Sequence, residues 1–340
     1  VALVTGATGF LGRPLIAALL AQGRSVVALC RQPESLADQG HPDLRIATGD
    51  LRDPASYTPL LSAGASVFHL AALRNHPHVR VLEMEEVNVG ATLTLARRAG
   101  ERGVARFVHV ATALIYGPSM DGRARTEQDD LDPSSSAYVR SKVEAVRGIR
   151  ELAREGLPAI TVCPTIVFGP DHPSHPNRVT SEIRRLLKGG PRIWLAGGRQ
   201  PRNLVFVEDV VRGMLAAEEH GAVGEEYLLG GEEVSQQELA RQVLALSGKR
   251  RGRREGIALS LPAGPARAAA RLLDRLRGHD CHGAGAGYAA AVETLLREWR
   301  FSSGKARRDL GYQPLSLTEG LVHTLEGLQL LKGSRGDDRS

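Results

Sequence analysis

Tyr138-Val139-Arg140-Ser141-Lys142 sets a phenol and an ammonium four residues apart. On a helix that spacing puts both on one face. A free tyrosine ionises near a pH of roughly 10. A neighbouring ammonium favours the phenolate and lowers that value. The phenol then gives a proton to a forming alkoxide, or takes one from an alcohol, near neutral pH. Thr112 follows the apolar run Val104 to Val110, and its hydroxyl is placed to hold the same substrate oxygen.

A second constellation opens the chain. Val1 to Gly12 reads VALVTGATGFLG: a short β-branched run, then Gly6, Gly9 and Gly12, then the apolar helical stretch Leu15 to Leu20 ending near Gly23. Strand, glycine turn and helix form a phosphate-binding turn. One glycine adopts dihedrals closed to other residues, a second lets backbone approach a pyrophosphate at the helix N-terminus, and a third lets helix and strand pack closely. A Tyr-x-x-x-Lys pair is common by chance. Here it follows a glycine turn at the first strand and a hydroxyl at the end of the fifth, and that order carries the reading. Lys142 also has the reach to bond a cofactor ribose.

These residues need a sheet to position them. Ser25 to Arg31, Leu44 to Thr48, Val67 to Ala72, Val104 to Val110 and Ala159 to Cys163 read as strands. Val81 to Ala99 reads as one long helix, Gly117 to Ser136 as a surface loop and Tyr138 to Glu155 as a helix. The alternation predicts an α/β fold, a Rossmann-type doubly wound parallel sheet. Residues 1–164 form the dinucleotide-binding part. Residues 165–332 form mainly a smaller substrate-binding lobe with returns to the main sheet, and 333–340 a disordered tail. In such folds an acid at the end of the second strand bonds a ribose 2′-hydroxyl, and an arginine accommodates a 2′-phosphate. Arg31 stands there, which favours NADP over NAD.

Composition narrows the classes. Of 340 residues, 24% are charged and 42% hydrophobic, an ordinary globular balance, and the 4% aromatic content makes the core aliphatic. Cys30, Cys163 and Cys281 have no metal or redox spacing, pointing to a reducing compartment. The chain starts on a strand with no leader, and no apolar run has bilayer length; the expectation is a cytoplasmic protein. Net charge is +6, and the basic run Lys249 to Arg254 reads as a solvated loop, with no nucleic-acid motif beside it. Ala266 to Leu276, with Arg267, Arg271, Arg275 and Arg277, reads as a basic helix packed on the main domain, making peripheral membrane contact unfavoured. Asp171, His172, His175 and Asn177 fit no metal motif and read as a polar loop. His76 and His78 flank Pro77 after the fourth strand and read as ordinary loop residues, and Cys281 and His282 are inert.

Taken together, the motifs resemble the extended short-chain dehydrogenase/reductases, which include nucleotide-sugar epimerases, dihydroflavonol-type reductases and steroid dehydrogenases. TGATGFLG is similar to the family's cofactor turn, implying contacts from Gly6, Thr8, Gly9, Phe10, Leu11 and Gly12. Gly49-Asp50-Leu51 resembles the adenine-side motif, implying Asp50 and Leu51. HLAA implies Leu70, Ala71 and Ala72, and CPTIVFGP implies Pro164 and Ile166 beside the nicotinamide. VNVGAT, RNLVFVEDV and GKARRDLGYQP match further landmarks in order. Thr112 occupies the position of the catalytic hydroxyl, and Tyr138 and Lys142 those of the acid/base pair. Three departures stand out: Thr112 for serine, Cys163 for arginine and Asn203 for aspartate. Arg202 matches an arginine that contacts a substrate diphosphate in the sugar-nucleotide enzymes. Ala113 and Leu114 replace the acidic pair of the sugar dehydratases, which sets dehydration aside.

The resemblance implies an NAD(P)-dependent oxidoreductase acting on a small molecule, a sugar nucleotide or a hydrophobic alcohol or ketone. Its alternatives are a nucleotide-sugar epimerase using bound NAD and a silent cofactor-binding regulator. It further implies a homodimer through the helices at 81–99 and 138–155.

Overall fold

In a computed structural model, described residues are 1–74, 79–133, 136–172, 176–189, 192–248, 258–276 and 287–330. The expectations for His76, His78, His175, the run 249–254, Arg277, Cys281, His282 and the tail fall outside them.

The first strand, β1 (Ala2–Thr5), is buried along its whole length. It feeds α1 (Gly12–Ala21), then β2 (Val26–Cys30), β3 (Leu44–Thr48), the short α2 (Pro54–Tyr57) and β4 (Ser66–His69). Next come α3 (Val81–Glu85), a π-helical turn (Glu86–Ala91), α4 (Thr92–Glu101), β5 (Arg106–Val110), α5 (Ala137–Arg154) and β6 (Ala159–Pro164). The expected single helix at 81–99 is thus interrupted. The π turn inserts where Gly90 weakens the helix and where Asn88 trades surface for buried bonds.

Beyond β6 lie β7 (Ile166–Phe168), α6 (Arg178–Leu187), β8 (Arg192–Leu195), β9 (Arg202–Phe206), α7 (Val207–His220), β10 (Glu226–Leu229), β11 (Glu232–Val234) and α8 (Gln236–Leu246). β12 (Ala258–Leu261), α9 (Ala263–Leu276), α10 (Tyr288–Leu296), α11 (Gly304–Leu310) and α12 (Leu317–Gly327) complete the order.

Seven strands form the central sheet in the order β10-β6-β5-β4-β1-β2-β3. Every pairing in it is parallel. β1 pairs β2 on one side and β4 on the other, so the connections diverge there; ligands of open α/β sheets bind at that switch point, outside the carboxyl ends of the strands. Leu3, Val67, Phe107 and Ala159 pack under α4 and α5, while Ala2, Val4, Phe68, Val108 and Ile160 pack with α1 and α7 on the other face. Both faces are covered, as a parallel sheet requires. The second half of the chain returns through β10 at the edge beside β6. It otherwise builds a three-stranded sheet, β11-β9-β7, and the pair β12-β8.

The C-terminal helix pair corrects one expectation. α9 buries Ala266, Ala270 and Asp274 against its neighbours and leaves Leu272, Leu273 and Leu276 outside. Its small residues face α10, and among the described residues the three leucines are left exposed.

Candidate active site

The glycine turn is shaped by close backbone approach. Gly6 has φ +68°, and a Cβ there would lie 2.7 Å from Ala71 N. A Cβ on Gly12 would lie 2.3 Å from Gly6 O, so nothing larger than glycine fits the start of α1. Gly9 N–H bonds Gly6 O, and the Gly12 and Arg13 N–H groups bond Gly9 O. Leu11, the residue before α1, offers no side-chain cap. Among the described backbone bonds, the Phe10 and Leu11 N–H groups take no partner. Free N–H groups at an uncapped helix N-terminus suit a pyrophosphate. Phe10 and Leu11 also pack against the core of the C-terminal lobe, tying the turn to it.

Leu70, Ala71 and Ala72 follow β4 and are half-buried beside this turn, where Ala71 N donates to Thr5 Oγ1 at 3.3 Å. Pro164 ends β6, and Ile166 begins β7. At the far end of the sheet Arg31 follows β2 and is exposed, and Thr8 and Leu51 are half-buried. Asp50 is gripped by Arg52, whose Nε and Nη2 donate to Oδ1 and Oδ2 at 3.1 and 2.7 Å. That pair holds the Asp50 carboxyl down at about 2, with Arg31 adding to the effect from nearby.

The acid/base candidates meet where β5 ends. Thr112 caps the short turn Ala113–Tyr116, its hydroxyl accepting from Leu114 N at 3.4 Å. Ser136 caps α5 by accepting from Val139 N. At the second residue of α5, Tyr138 is half-buried and packs against the cluster containing Ala111 and Ala113. Lys142 is buried, and its Nζ donates to Val110 O at 2.9 Å. Burial pulls the ammonium down from 10.5 to about 8. The expected depression of the Tyr138 phenol is absent: burial pushes it up, and the cation acting against that is Arg74. Lys142 is not among the charges acting on the phenol; its ammonium bonds the strand-end carbonyl of Val110.

A buried polar layer beneath these residues was not anticipated. Asn88, turned inward by the π turn, accepts from Leu73 N at 2.7 Å and donates to Leu73 O and Ser141 Oγ, each at 2.9 Å. Ser141 Oγ in turn donates to Tyr138 O at 2.8 Å. His69 shares hydrogen bonds with Thr5 and Thr92, each at 2.8 Å, and stacks on His109 with centroids 5.7 Å apart. Burial, aided by Lys142, holds His69 down at about 3, so the imidazole stays neutral. The only sequence signal was the alternation that puts Thr5, His69 and His109 on one face of a sheet.

Arg202, on β9, is buried. Its Nη1 lies 3.4 Å from Glu182 Oε2, while Nε and Nη2 have no partner among the described residues. Asn203 is structural: its amide accepts from Thr165 Oγ1 and Gly231 N, and donates to Gly231 O and Phe301 O. Cys163 is buried beside Tyr116, whose hydroxyl donates to Glu226. Arg150 closes that group with a two-pronged ion pair to the same carboxylate. The arginine missing at 163 therefore leaves no uncompensated charge. Asp171 accepts from Asn177 N and pairs with Arg184 of α6, and Asn177 caps α6, so both side chains are engaged within the fold.

The chain is similar to known proteins along nearly its whole length. A ketoreductase of Stigmatella aurantiaca, named for a 4-hydroxy-2-methyl-3-oxo-4-farnesyl-3,4-dihydroquinoline-1-oxide substrate, is 30% identical over 97% of this chain and 95% of its own. A 3β-hydroxysteroid dehydrogenase/Δ5→4-isomerase of Mycobacterium tuberculosis is 29% identical, over 93% of this chain and 87% of its own. The crystal structure of dTDP-glucose 4,6-dehydratase from Streptomyces venezuelae, with NAD bound, superposes with a TM-score of 0.75 at 28% identity, covering 97% of each chain. The model of the NAD dependent epimerase/dehydratase family matches residues 2–230, and the chain belongs to that family.

Proposed function

We propose that the chain is an NAD(P)-dependent oxidoreductase that reduces a carbonyl, or oxidises the corresponding alcohol, with Tyr138 as acid/base. The observation that carries this reading is the placement of Tyr138 and Lys142 on the first two turns of α5, with Lys142 bonded to the end of the strand that leads into Thr112. When bound, the nicotinamide supplies or takes the hydride at the substrate carbon. Tyr138 gives the substrate oxygen its proton, and Thr112 holds that oxygen. Lys142, charged below a pH of about 8, holds α5 against the end of β5 and is placed to bond the cofactor ribose. Gly6, Thr8, Gly9, Phe10, Leu11 and Gly12 would hold the pyrophosphate. Asp50 and Leu51 would hold the adenosine, and Leu70, Ala71, Ala72, Pro164 and Ile166 the nicotinamide side. Ala113 and Leu114 supply no carboxylate beside Thr112, which speaks against dehydration.

Arg31 supports NADP. It is exposed at the end of β2, free to meet a 2′-phosphate, while Asp50 is already engaged by Arg52. The ketoreductase and the steroid dehydrogenase support net redox chemistry on an apolar ketone or alcohol. One observation favours a second reading: the unpartnered Arg202 nitrogens would take an anionic group such as the diphosphate of a sugar nucleotide. The test is incubation of the purified protein with NADPH or NADH and a panel of ketones and sugar nucleotides. Net consumption of reduced cofactor with a ketone supports the reductase. Conversion of a sugar nucleotide without net cofactor change supports the epimerase, and no turnover with any substrate supports a silent binder. The same reading extends to a homodimer through α3–α4 and α5, which light scattering at micromolar concentration would refute by returning a monomer mass.

A further inference from the structure

The described residues expose nine large hydrophobic side chains, and five of these, Leu259, Leu272, Leu273, Leu276 and Tyr288, lie on β12, α9 and α10. The others stand on separate elements. On α9 the pattern is ordered. Ala266, Ala270 and Asp274 face inward. Arg267, Arg271 and Arg275 form the next stripe at a spacing of four. Pro265, Ala268, Ala269, Leu272, Leu273 and Leu276 fill the rest of the circumference. Leu272, Leu273 and Leu276 are 57%, 42% and 74% exposed. An ordinary surface helix turns its leucines to the core; this one turns them to solvent and borders them with guanidinium groups.

We propose that this outward face of α9 docks on an anionic lipid bilayer. The charge pattern selects that occupant. The helix has one acidic residue, Asp274, and it is buried, where it caps α10 by accepting from Tyr288 N and Ala289 N at 2.7 and 2.9 Å. Arg267 is paired to Glu293, but Arg271 and Arg275 carry no ion pair among the described residues. Leucines between a row of arginines and solvent match the boundary between acyl chains and phosphate headgroups, with arginine stems lying along the apolar surface. A second copy of the chain would bring the same arginine stripe to the contact, a like-charge arrangement. At 14 residues the helix is about 21 Å long, and no described helix is long and apolar enough to cross a membrane, so α9 lies on the surface. The inference stands on α9 alone and holds whichever substrate is turned over.

The test is flotation of the full chain with phosphatidylcholine vesicles and with mixed phosphatidylcholine–phosphatidylglycerol vesicles. The wild type should float with the mixed vesicles and not with the neutral ones, and high salt should release it. Arg271→Gln with Arg275→Gln should weaken binding about 25-fold, at about fivefold for each arginine near an anionic surface. Leu272→Ser with Leu276→Ser should weaken it about tenfold or more, and both variants should keep the wild-type melting midpoint. No flotation of the wild type overturns the proposal. So does flotation that both variants retain, which assigns binding to another surface. A dimer that the leucine variant dissolves, without flotation, overturns it in favour of a second copy.

Discussion

Lys142 Nζ and Val110 O lie 2.9 Å apart, so an ammonium of α5 is fastened to the last residue of β5. The bond fixes α5 against the strand end that leads into Thr112. Burial of the same ammonium pulls it down from 10.5 to about 8.

Turnover should therefore fall as pH rises through about 8, where Lys142 loses its proton. Stability moves the other way. Below a pH of about 8 the lysine is protonated in both states, and its burial costs about 3 kcal/mol at 1.36 kcal/mol per unit. Between 8 and 10.5 the unfolded chain binds the extra proton, so this cost fades as pH rises. Lys142→Met should then be about 1–3 kcal/mol more stable than wild type at neutral pH, after allowance for the lost bond to Val110. The gain should shrink above a pH of about 8. Chemical denaturation at neutral pH and at a pH of about 10 checks the sign.

Tyr138→Phe removes the only group given a proton-transfer role. Turnover should fall by about 10²–10⁴-fold while the cofactor dissociation constant stays within a factor of about two. Retention of more than about a tenth of the activity would rule Tyr138 out as the acid.

Arg31→Asp should reverse cofactor preference. The charge-assisted bonds to a 2′-phosphate disappear, and the new carboxylate repels that phosphate while accepting from a 2′-hydroxyl. The ratio of NADPH to NADH affinity should shift by roughly ten- to a hundredfold. An unchanged ratio in titration calorimetry would place the 2′-position elsewhere.

Asn88→Ala should destabilise the fold by about 1–3 kcal/mol, because Leu73 N loses its acceptor in a buried setting. Asn88→Asp cannot donate to Leu73 O or Ser141 Oγ and should rescue little. Cofactor affinity should drop with stability, since the loop after Ala72 loses its tie to α5. Thermal melts with and without cofactor would separate the two effects.

The order of strands and helices was readable because buried parallel strands are short and β-branched and the glycines sit where backbones nearly touch. Gly6 and Gly12 are the clearest cases, each with a backbone atom inside the space of a Cβ. The polar layer was not readable. Asn88, Ser141 and His69 are distant in sequence, and only the fold brings them into register, through a π turn that no local propensity announces. The titration of Tyr138 was misread for a related reason: spacing puts Lys142 on the right face but does not say which carbonyl its ammonium will choose. The leucines of α9 read as core from composition, because periodicity shows that a face is apolar and not which way it looks.

The edge strand β10 has a consequence for how the molecule is made. Its residues pair with Thr161 to Pro164 of β6. The Glu226 side chain meets Tyr116 and Arg150, and its backbone carbonyl meets Lys305. All six β6 residues are buried in the finished sheet. On the ribosome, β6 emerges well before its neighbour, and until Glu226 to Leu229 arrive it is an apolar edge with unpaired backbone groups, a template for pairing with other chains. A nascent chain interrupted between β6 and β10 would be the species most prone to aggregate, and the sheet's completion is in this sense a late event in synthesis, delivered by the second half of the chain.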